Sequence, residues 1–483
     1  MTPTIKIESY RNYIGGEWID TAAHETVRLP YDGTPVGEVP RAGTEMVDRA
    51  VAAARQGFHA MREMANYERA DLLLRVMELV RRDNAEYAQL ICAETGKPIR
   101  EARVEASRAL ETLTAAAHEA RQLHGEVVPM DFSATGKGRM AITVREPIGV
   151  IGSITPFNVP FNLALHKVAP ALAAGNAVVH KPATKTPLSA LRLARTMEEA
   201  GVPKGGYNVI TGSGAAIGAA MVEHPGIAML TFTGSPEVGR AIKARGGFKK
   251  VTLELGNNSA VIVEAGSDLA TAVARTVQGA FAHSGQVCIS VQRAFVHHSI
   301  VGEFTERLKA AAESLRVGHP YEETTDISSL IDEAEAVRIE RWIGEAVAGG
   351  ARVITGGKRG VPFGPATVTP AILENLPAAC KISCHEAFGP VLAIYPYDDL
   401  DSAIEQANAT PYGLQAGIFT PDVARAFQAA RRLEVGGVMI NDIPMYRADH
   451  MPYGGVKESG IGREGPRYAI EEMTEAKLIC WRV

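Results

Sequence analysis

The residues best suited to do chemistry lie in Phe281-Ala-His-Ser-Gly-Gln-Val-Cys-Ile-Ser-Val-Gln-Arg293. There Cys288 stands between a helix-like run, 270–281, and a strand-like run, 288–297. A side chain at such a junction emerges at an element end, where catalytic groups are commonly presented. A thiol offers nucleophilic addition, but a free one with a pKa of about 8.5 is only about 3% ionised at pH 7. Spacing alone does not separate a nucleophile from a buried cysteine acting as a small hydrophobe, which is the commoner case.

The elements that would hold this stretch read as two α/β series. Residues 45–63 and 67–94 carry apolar side chains at i, i+3, i+4 spacing, as at Leu73, Val76, Met77 and Val80, and predict helices. Lys97-Pro98 ends the second. A third helix is expected over 99–122, with Arg103 and Arg108 solvated or paired with Glu101, Glu105 or Glu111. The polar stretch 125–145, alternating from Met140 to Arg145, suits an excursion of two strands.

From Pro147 short apolar strands (148–154, 177–180, 207–210, 229–232, 251–255) alternate with helical stretches (162–174, 187–200, 215–223, 237–244). This predicts βαβ units and a parallel sheet covered on both faces. Ligands of such sheets bind outside the carboxyl ends of the strands. Those ends carry Thr155-Pro-Phe-Asn158, Lys181-Pro-Ala-Thr184, Gly212-Ser-Gly214 and Thr233-Gly-Ser235. A second series has strands near 260–263, 289–296, 391–395, 417–419 and 438–440, so two α/β domains are expected, dividing near Gly256.

Composition narrows the function classes. A chain of 483 residues with 46% hydrophobic and 22% charged residues suits two or three soluble domains. A net charge of −5 with scattered basic residues leaves no nucleic-acid footprint. The five cysteines, Cys92, Cys288, Cys380, Cys384 and Cys480, are too irregular for a disulfide framework. Cys380 and Cys384 alone are too few ligands for a metal, and they read as packed thiols. The start, Met1 to Glu8, lacks an apolar signal region and no run of 18 apolar residues follows, so a cytoplasmic protein is expected.

Eight motifs then fall in one order: Glu94-Thr-Gly-Lys-Pro98, Pro156-Phe-Asn158, Lys181-Pro182, Phe232-Thr-Gly-Ser235, Leu253-Glu-Leu-Gly256, Gly285-Gln-Val-Cys288, Glu386-Ala-Phe-Gly-Pro390 and Pro452-Tyr-Gly-Gly455. In this order the chain resembles the NAD(P)-dependent aldehyde dehydrogenase superfamily, from Tyr13 to Glu475. Gly285-Gln-Val-Cys-Ile-Ser290 and the stretch from Met451 to Glu464 look like its lactaldehyde dehydrogenase-like branch. The resemblance implies an α/β fold: a Rossmann-like cofactor domain (1–125 and 146–255) and a catalytic domain (256–447). It also implies oligomerisation strands (126–145 and 470–483) and a returning segment (448–469) lining the site.

The same resemblance implies Cys288 as nucleophile, forming a thiohemiacetal and then a thioester. Asn158 would be the oxyanion donor with the backbone N–H of Cys288. Glu254 would be the general base for hydrolysis, its pKa raised by the apolar Leu253 and Leu255. Glu464 matches a second carboxylate near the water path; alone it would read as a helix-start glutamate. After Glu254 the family usually has Gly-Gly-Lys, and here Gly256-Asn257-Asn258 stands instead.

Implied cofactor contacts are Thr155, Pro156, Phe157, Lys181, Thr184, Lys185, Gly214, Thr233, Gly234, Ser235, Leu255, Glu386 and Phe388. Ser235 would offer a helix N-terminus to the pyrophosphate. Lys181 would reach the adenosine ribose and Glu386 the nicotinamide ribose, with Phe388 near the nicotinamide. Thr184 stands where many NAD-preferring relatives place a glutamate that repels a 2′-phosphate. With Lys185 beside it, use of both NAD and NADP with an NADP lean is expected.

Implied substrate-tunnel residues are Arg108, Val287, Ile289, Ser290, Tyr446 and Arg447. Arg447, helped by Arg108, could hold an acidic tail, or instead pair with Asp442 or Asp449. A short hydroxy- or acid-bearing aldehyde is the expected substrate, and a homodimer or homotetramer the expected assembly. The alternatives are a CoA-acylating relative, a cysteine esterase without dinucleotide, and a non-catalytic protein. Retention of Glu254 argues against the first, and retention of Cys288, Glu254 and Asn158 together against the last.

Overall fold

The computed structural model describes residues 8–360 and 362–483; most of the N-terminal stretch read for a signal lies outside them. Five parallel strands, Val150–Ile154, Ala177–Lys181, Tyr207–Val209, Met229–Thr233 and Lys250–Glu254, form the centre of a first sheet. Val150–Ile154 pairs with Ala177–Lys181 on one side and Met229–Thr233 on the other. The strand order therefore reverses beside Ile154, which opens a crevice at the carboxyl ends of these strands. The consecutive Val178 and Val179 show why the sheet is covered twice: both are fully buried, in cores on opposite faces.

A second sheet runs in the order Arg352–Thr355, Ala371–Glu374, Val391–Tyr397, Val291–His297, Ser259–Val263, Gln415–Phe419 and Gly437–Ile440. All neighbours are parallel except the antiparallel first pair. Residues 255–258 carry the chain from the first sheet into the second, and residues 441–459 bring it back to the strand Gly460–Ile461 at the edge of the first.

The helices Glu45–Glu63 and Ile99–Gln122 have the bounds that their periodicity predicts. The single helix expected over 67–94 is instead two, Asn66–Arg82 and Asn84–Thr95. Asp83 leaves helical geometry (φ −102°, ψ 16°), and its carboxylate accepts hydrogen bonds from Arg82 at 2.8 Å and Arg192 at 2.5 Å. Apolar periodicity continues through the break and hides it.

Arg103 and Arg108 do not pair along their own helix. Arg103 reaches Glu323 at 2.7 Å, and Arg108 reaches Asp449. The excursion is present as Val127–Val128 and Arg139–Pro147, and the latter pairs antiparallel with the C-terminal strand Thr474–Arg482. No described helix is long and apolar enough to cross a membrane.

The helix Glu45–Glu63 lies against the first sheet through Gly57, where a Cβ would overlap the carbonyl carbon of Gly205. Gly57→Ala is expected to cost about 1–3 kcal/mol through overpacking. A lowered urea midpoint at unchanged slope is the expected result, and an unchanged midpoint contradicts it.

Candidate active site

The helix Leu269–Phe281 ends in three successive left-handed residues: His283 (φ 49°), Ser284 (φ 55°) and Gly285 (φ 72°). For a residue with a Cβ that conformation costs roughly 1–2 kcal/mol. Neighbours hold the turn closed. Ser284 Oγ donates to the Ser328 carbonyl at 2.9 Å, and the Gln286 side chain accepts from Ile331 N–H at 2.9 Å. At Gly285 a Cβ would overlap the Gly389 backbone. The strand begins only at Val291, so Cys288 lies in the turn rather than opening the strand as its pattern suggested.

The Cys288 Sγ lies 2.9 Å from the Tyr453 hydroxyl. Burial pushes the thiol up to about 12, against the opposing pull of that hydrogen bond. Asn158 sits in the same cavity, of about 290 Å³, and its side-chain amide donates to the Gln286 carbonyl at 2.8 Å. One amide hydrogen therefore ties Asn158 to the cysteine turn, and the other is not used in that bond.

Glu254 ends its strand fully inside the protein, and neither carboxylate oxygen has a hydrogen-bond partner among the described residues. Burial first, then the charge of Glu464, holds its pKa well above the ordinary carboxylate range. Glu464 is held differently. Lys167 donates to it at 2.5 Å and Arg447 at 3.1 Å. Although burial opposes it, the two cations bring Glu464 down to about 2. It does not open a helix, because the next one is Pro466–Glu472; instead it bridges Tyr453 through paired backbone hydrogen bonds.

Arg447 is therefore paired with neither Asp442 nor Asp449. Asp442 binds Arg275, and Asp449 accepts from Arg108 at 2.8 and 3.0 Å and contacts His166 at 2.9 Å. Arg447 lines the cavity with Arg108, and its guanidinium lies 3.7 Å above the Tyr453 ring. Val287 and Ile289 line the cavity as expected. Ser290 does not, because its hydroxyl turns to the carbonyls of Gly279 and Ala280. Tyr446 also lies outside the lining, with Met445 there instead.

At the crevice of the first sheet, Lys181 is buried, and among the described residues its ammonium donates only to the Pro182 carbonyl, at 2.8 Å. Burial lowers it to about 8 despite the charge of Glu25. Gly214 lies close by, where an added Cβ would come within 4.0 Å of that ammonium. Ser235 caps the helix Pro236–Arg245. Thr155 N–H donates to the Lys181 carbonyl, Gly234 N–H to that of Glu254, and Leu255 N–H to that of Ser459. Pro156 stays in the loop between Ile154 and Asn158.

Thr233 accepts from Lys167 at 2.7 Å. Glu386 accepts from Asn257 N–H at 3.0 Å, and burial raises it to about 7. Phe388 adopts a left-handed φ of 46° and meets Phe157 edge-on. Thr184 donates to the Gly212 carbonyl, and Lys185 is paired with Asp332 rather than free beside Lys181. A buried cation, a capped helix start, a buried carboxylate and an edge-on pair of phenyl rings fit a dinucleotide.

The model of the aldehyde dehydrogenase family matches residues 18–479. The chain is 48% identical to 3-sulfolactaldehyde dehydrogenase of Priestia aryabhattai, covering 99% of each. It is 39% identical to lactaldehyde dehydrogenase of Methanococcus aeolicus, over 97% of this chain and 99% of that one. The chain belongs to the aldehyde dehydrogenase family. It oxidises an aldehyde to the carboxylic acid and passes hydride to NAD(P)⁺.

Among solved structures, aldehyde dehydrogenase 21 of Physcomitrella patens in complex with the reaction product succinate superposes with TM-score 0.96 at 39% identity, over 99% of each chain. An NAD-dependent aldehyde dehydrogenase of Sinorhizobium meliloti superposes at 0.96, with 34% identity over 99% of this chain and 96% of that one. Glyceraldehyde-3-phosphate dehydrogenase GapN of Methanocaldococcus jannaschii, complexed with NADP, superposes at 0.91, with 38% identity over 96% of this chain and all of the other.

Sequence reasoning missed His166, Lys167 and the role of Tyr453, and named Asp449 only as a partner for Arg447. The signal for the first two was a His-Lys pair inside the otherwise apolar helix Asn162–Ala173, where a charge is expected to find a buried partner. Removing one partner of a buried ion pair typically costs about 3–5 kcal/mol. Lys167→Met is expected to lose that much in chemical denaturation at neutral pH. The loss should shrink on acidification from the ordinary 4.5 of a glutamate towards about 2, as Glu464 protonates in the folded protein. Equal losses at pH 7 and below pH 3 contradict the pairing.

Proposed function

We propose that Cys288 is the nucleophile, Asn158 the oxyanion donor and Glu254 the base that activates water. The carrying observation is that Cys288 and Asn158 line one cavity, while Glu254 is buried with no hydrogen-bond partner among the described residues and lies against Gly454, next to the Tyr453 that meets the Cys288 sulfur. The thiolate adds to the aldehyde carbon, forming a C–S bond and moving the carbonyl electron pair onto oxygen. Asn158 and the Cys288 N–H stabilise that oxyanion; loss of one such donor costs about 100- to 1,000-fold. The dinucleotide, when bound, accepts the hydride that leaves as the C=O bond re-forms, and a thioester remains on Cys288. Glu254 takes a proton from water, whose oxygen attacks the thioester and releases the acid and the thiolate. Glu464, held as an anion by Lys167 and Arg447, keeps Glu254 basic.

Lys181 and the helix start at Ser235 hold the adenosine and pyrophosphate, and Glu386 and Phe388 hold the nicotinamide end. Thr184 presents a hydroxyl where a carboxylate would repel a 2′-phosphate, and Lys181 has no direct carboxylate partner among the described residues. NADP⁺ is accepted beside NAD⁺ and is preferred. The substrate is a short aldehyde bearing a hydroxyl or an acidic tail, with Arg447 as tail contact. Support comes from the names of the relatives and from the Arg447 Nε, buried without a partner among the described residues.

The chain works as a homodimer or homotetramer. The strand Thr474–Arg482 has one edge unpaired among the described residues and exposes Leu478, Ile479 and Trp481, a surface that invites strand addition from another copy. The domains divide where residues 255–258 join the two sheets.

Rapid mixing tests the chemistry. Cys288→Ala is expected to form no reduced dinucleotide, and Glu254→Gln to give one burst per active site followed by a rate at least about 100-fold below the unaltered protein. Steady turnover in Cys288→Ala overturns the nucleophile. A cofactor comparison on glyceraldehyde and lactaldehyde should give NADP⁺ the higher kcat/KM. An NAD⁺ advantage of more than about 100-fold, worth nearly 3 kcal/mol, contradicts the NADP⁺ preference.

A further inference from the structure

The hydroxyl of Tyr453 is the one hydrogen-bonding group within reach of the Cys288 sulfur among the described residues, at 2.9 Å. Both residues lie at the cavity wall, and the tyrosine is buried. We infer that Tyr453 is a catalytic residue that donates a hydrogen bond to the Cys288 thiolate and sets the pH at which the nucleophile forms. The inference rests on Cys288 being that nucleophile.

The charged and titratable groups facing the sulfur make such a donor necessary. Glu254, from the end of its strand, and Glu386, from the loop before Val391–Tyr397, both oppose a negative sulfur. Arg447 favours it, but this guanidinium is already engaged by Glu464, lies over the Tyr453 ring and makes no hydrogen bond to the sulfur. A thiolate formed here without a donor would be a buried charge beside two carboxylates.

Direction of donation follows from chemistry. A thiolate carries no hydrogen, so once Cys288 ionises the phenol is the donor. The phenol keeps its proton, because burial and the charges of Cys288 and Glu254 raise it well above its ordinary value. The guanidinium stacked 3.7 Å over the ring draws electron density from it and makes the O–H a stronger donor. Position is fixed as well: paired backbone hydrogen bonds tie Tyr453 to Glu464, which anchors Arg447, so phenol, guanidinium and carboxylate move as one unit.

Tyr453→Phe removes one oxygen and leaves the ring under Arg447. The test is the pH dependence of iodoacetamide alkylation at Cys288 in the full-length protein, read by mass spectrometry of the peptide that carries it. A charge-assisted hydrogen bond favours the ionised form, and its loss should raise the alkylation midpoint by about one pH unit. Below the midpoint kcat/KM should fall by about tenfold and recover as the pH rises through it, which a misplaced side chain would not do. A 3-fluorotyrosine at position 453, a more acidic phenol, should move the midpoint down. An unchanged midpoint in both variants overturns the inference. The reading of Cys288 as nucleophile is tested separately, by dinucleotide reduction in Cys288→Ala, and survives that outcome.

Discussion

Two carboxylates, Glu254 and Glu464, lie buried beside two cations, and Glu464 takes both. Lys167 and Arg447 each donate to Glu464, while Glu254 is left with no hydrogen-bond donor among the described residues. A lone buried carboxylate is costly to ionise, and the neighbouring negative charge of Glu464 adds to that cost. The pair thus divides into a fixed anion and a carboxylate that holds its proton to higher pH. A raised carboxylate pKa of this kind is what the base role proposed for Glu254 calls for.

The fold exists around this pocket. Glu254 arrives at the carboxyl edge of the first sheet, and Cys288 arrives at the amino edge of the second through a left-handed turn. The returning segment closes the gap. Residues Gly460–Ile461 add to the Glu254 strand, and Tyr453 bridges Glu464. Gly454, at φ +157°, lets this backbone press against Glu254, where a Cβ would lie 2.8 Å from the carboxylate oxygen. Arg447 and the segment that follows it therefore bring Tyr453 to the Cys288 sulfur and Glu464 and Gly454 to Glu254.

Short-range pattern made much of this legible. Period-3.6 spacing set the bounds of Glu45–Glu63 and Ile99–Gln122, and the apolar strand runs revealed the parallel sheet. The ordered motifs pointed to Cys288, Asn158, Glu254 and Glu464. What stayed hidden depends on partners distant in sequence. Arg108 meets Asp449 across 341 positions, and Lys167 meets Glu464 across 297. At the helix break Asp83 meets Arg192, also far along the chain. Ser290 and Tyr446 turn away because the strand starts at Val291 and the loop presents Met445, details of phase that composition does not carry.

The most direct measurement is the protonation state of Glu254 in the resting protein, read by infrared difference spectroscopy of the unaltered chain against Glu254→Gln as pH is varied. Glu254 is held well above the ordinary carboxylate range, so its protonated-carboxyl band should persist to a pH well above about 4.3, the ordinary value for a glutamate. If Glu254 is fully ionised near its ordinary value of about 4.3, or if the protonated group proves to be Glu464, the division of roles between the two carboxylates is wrong.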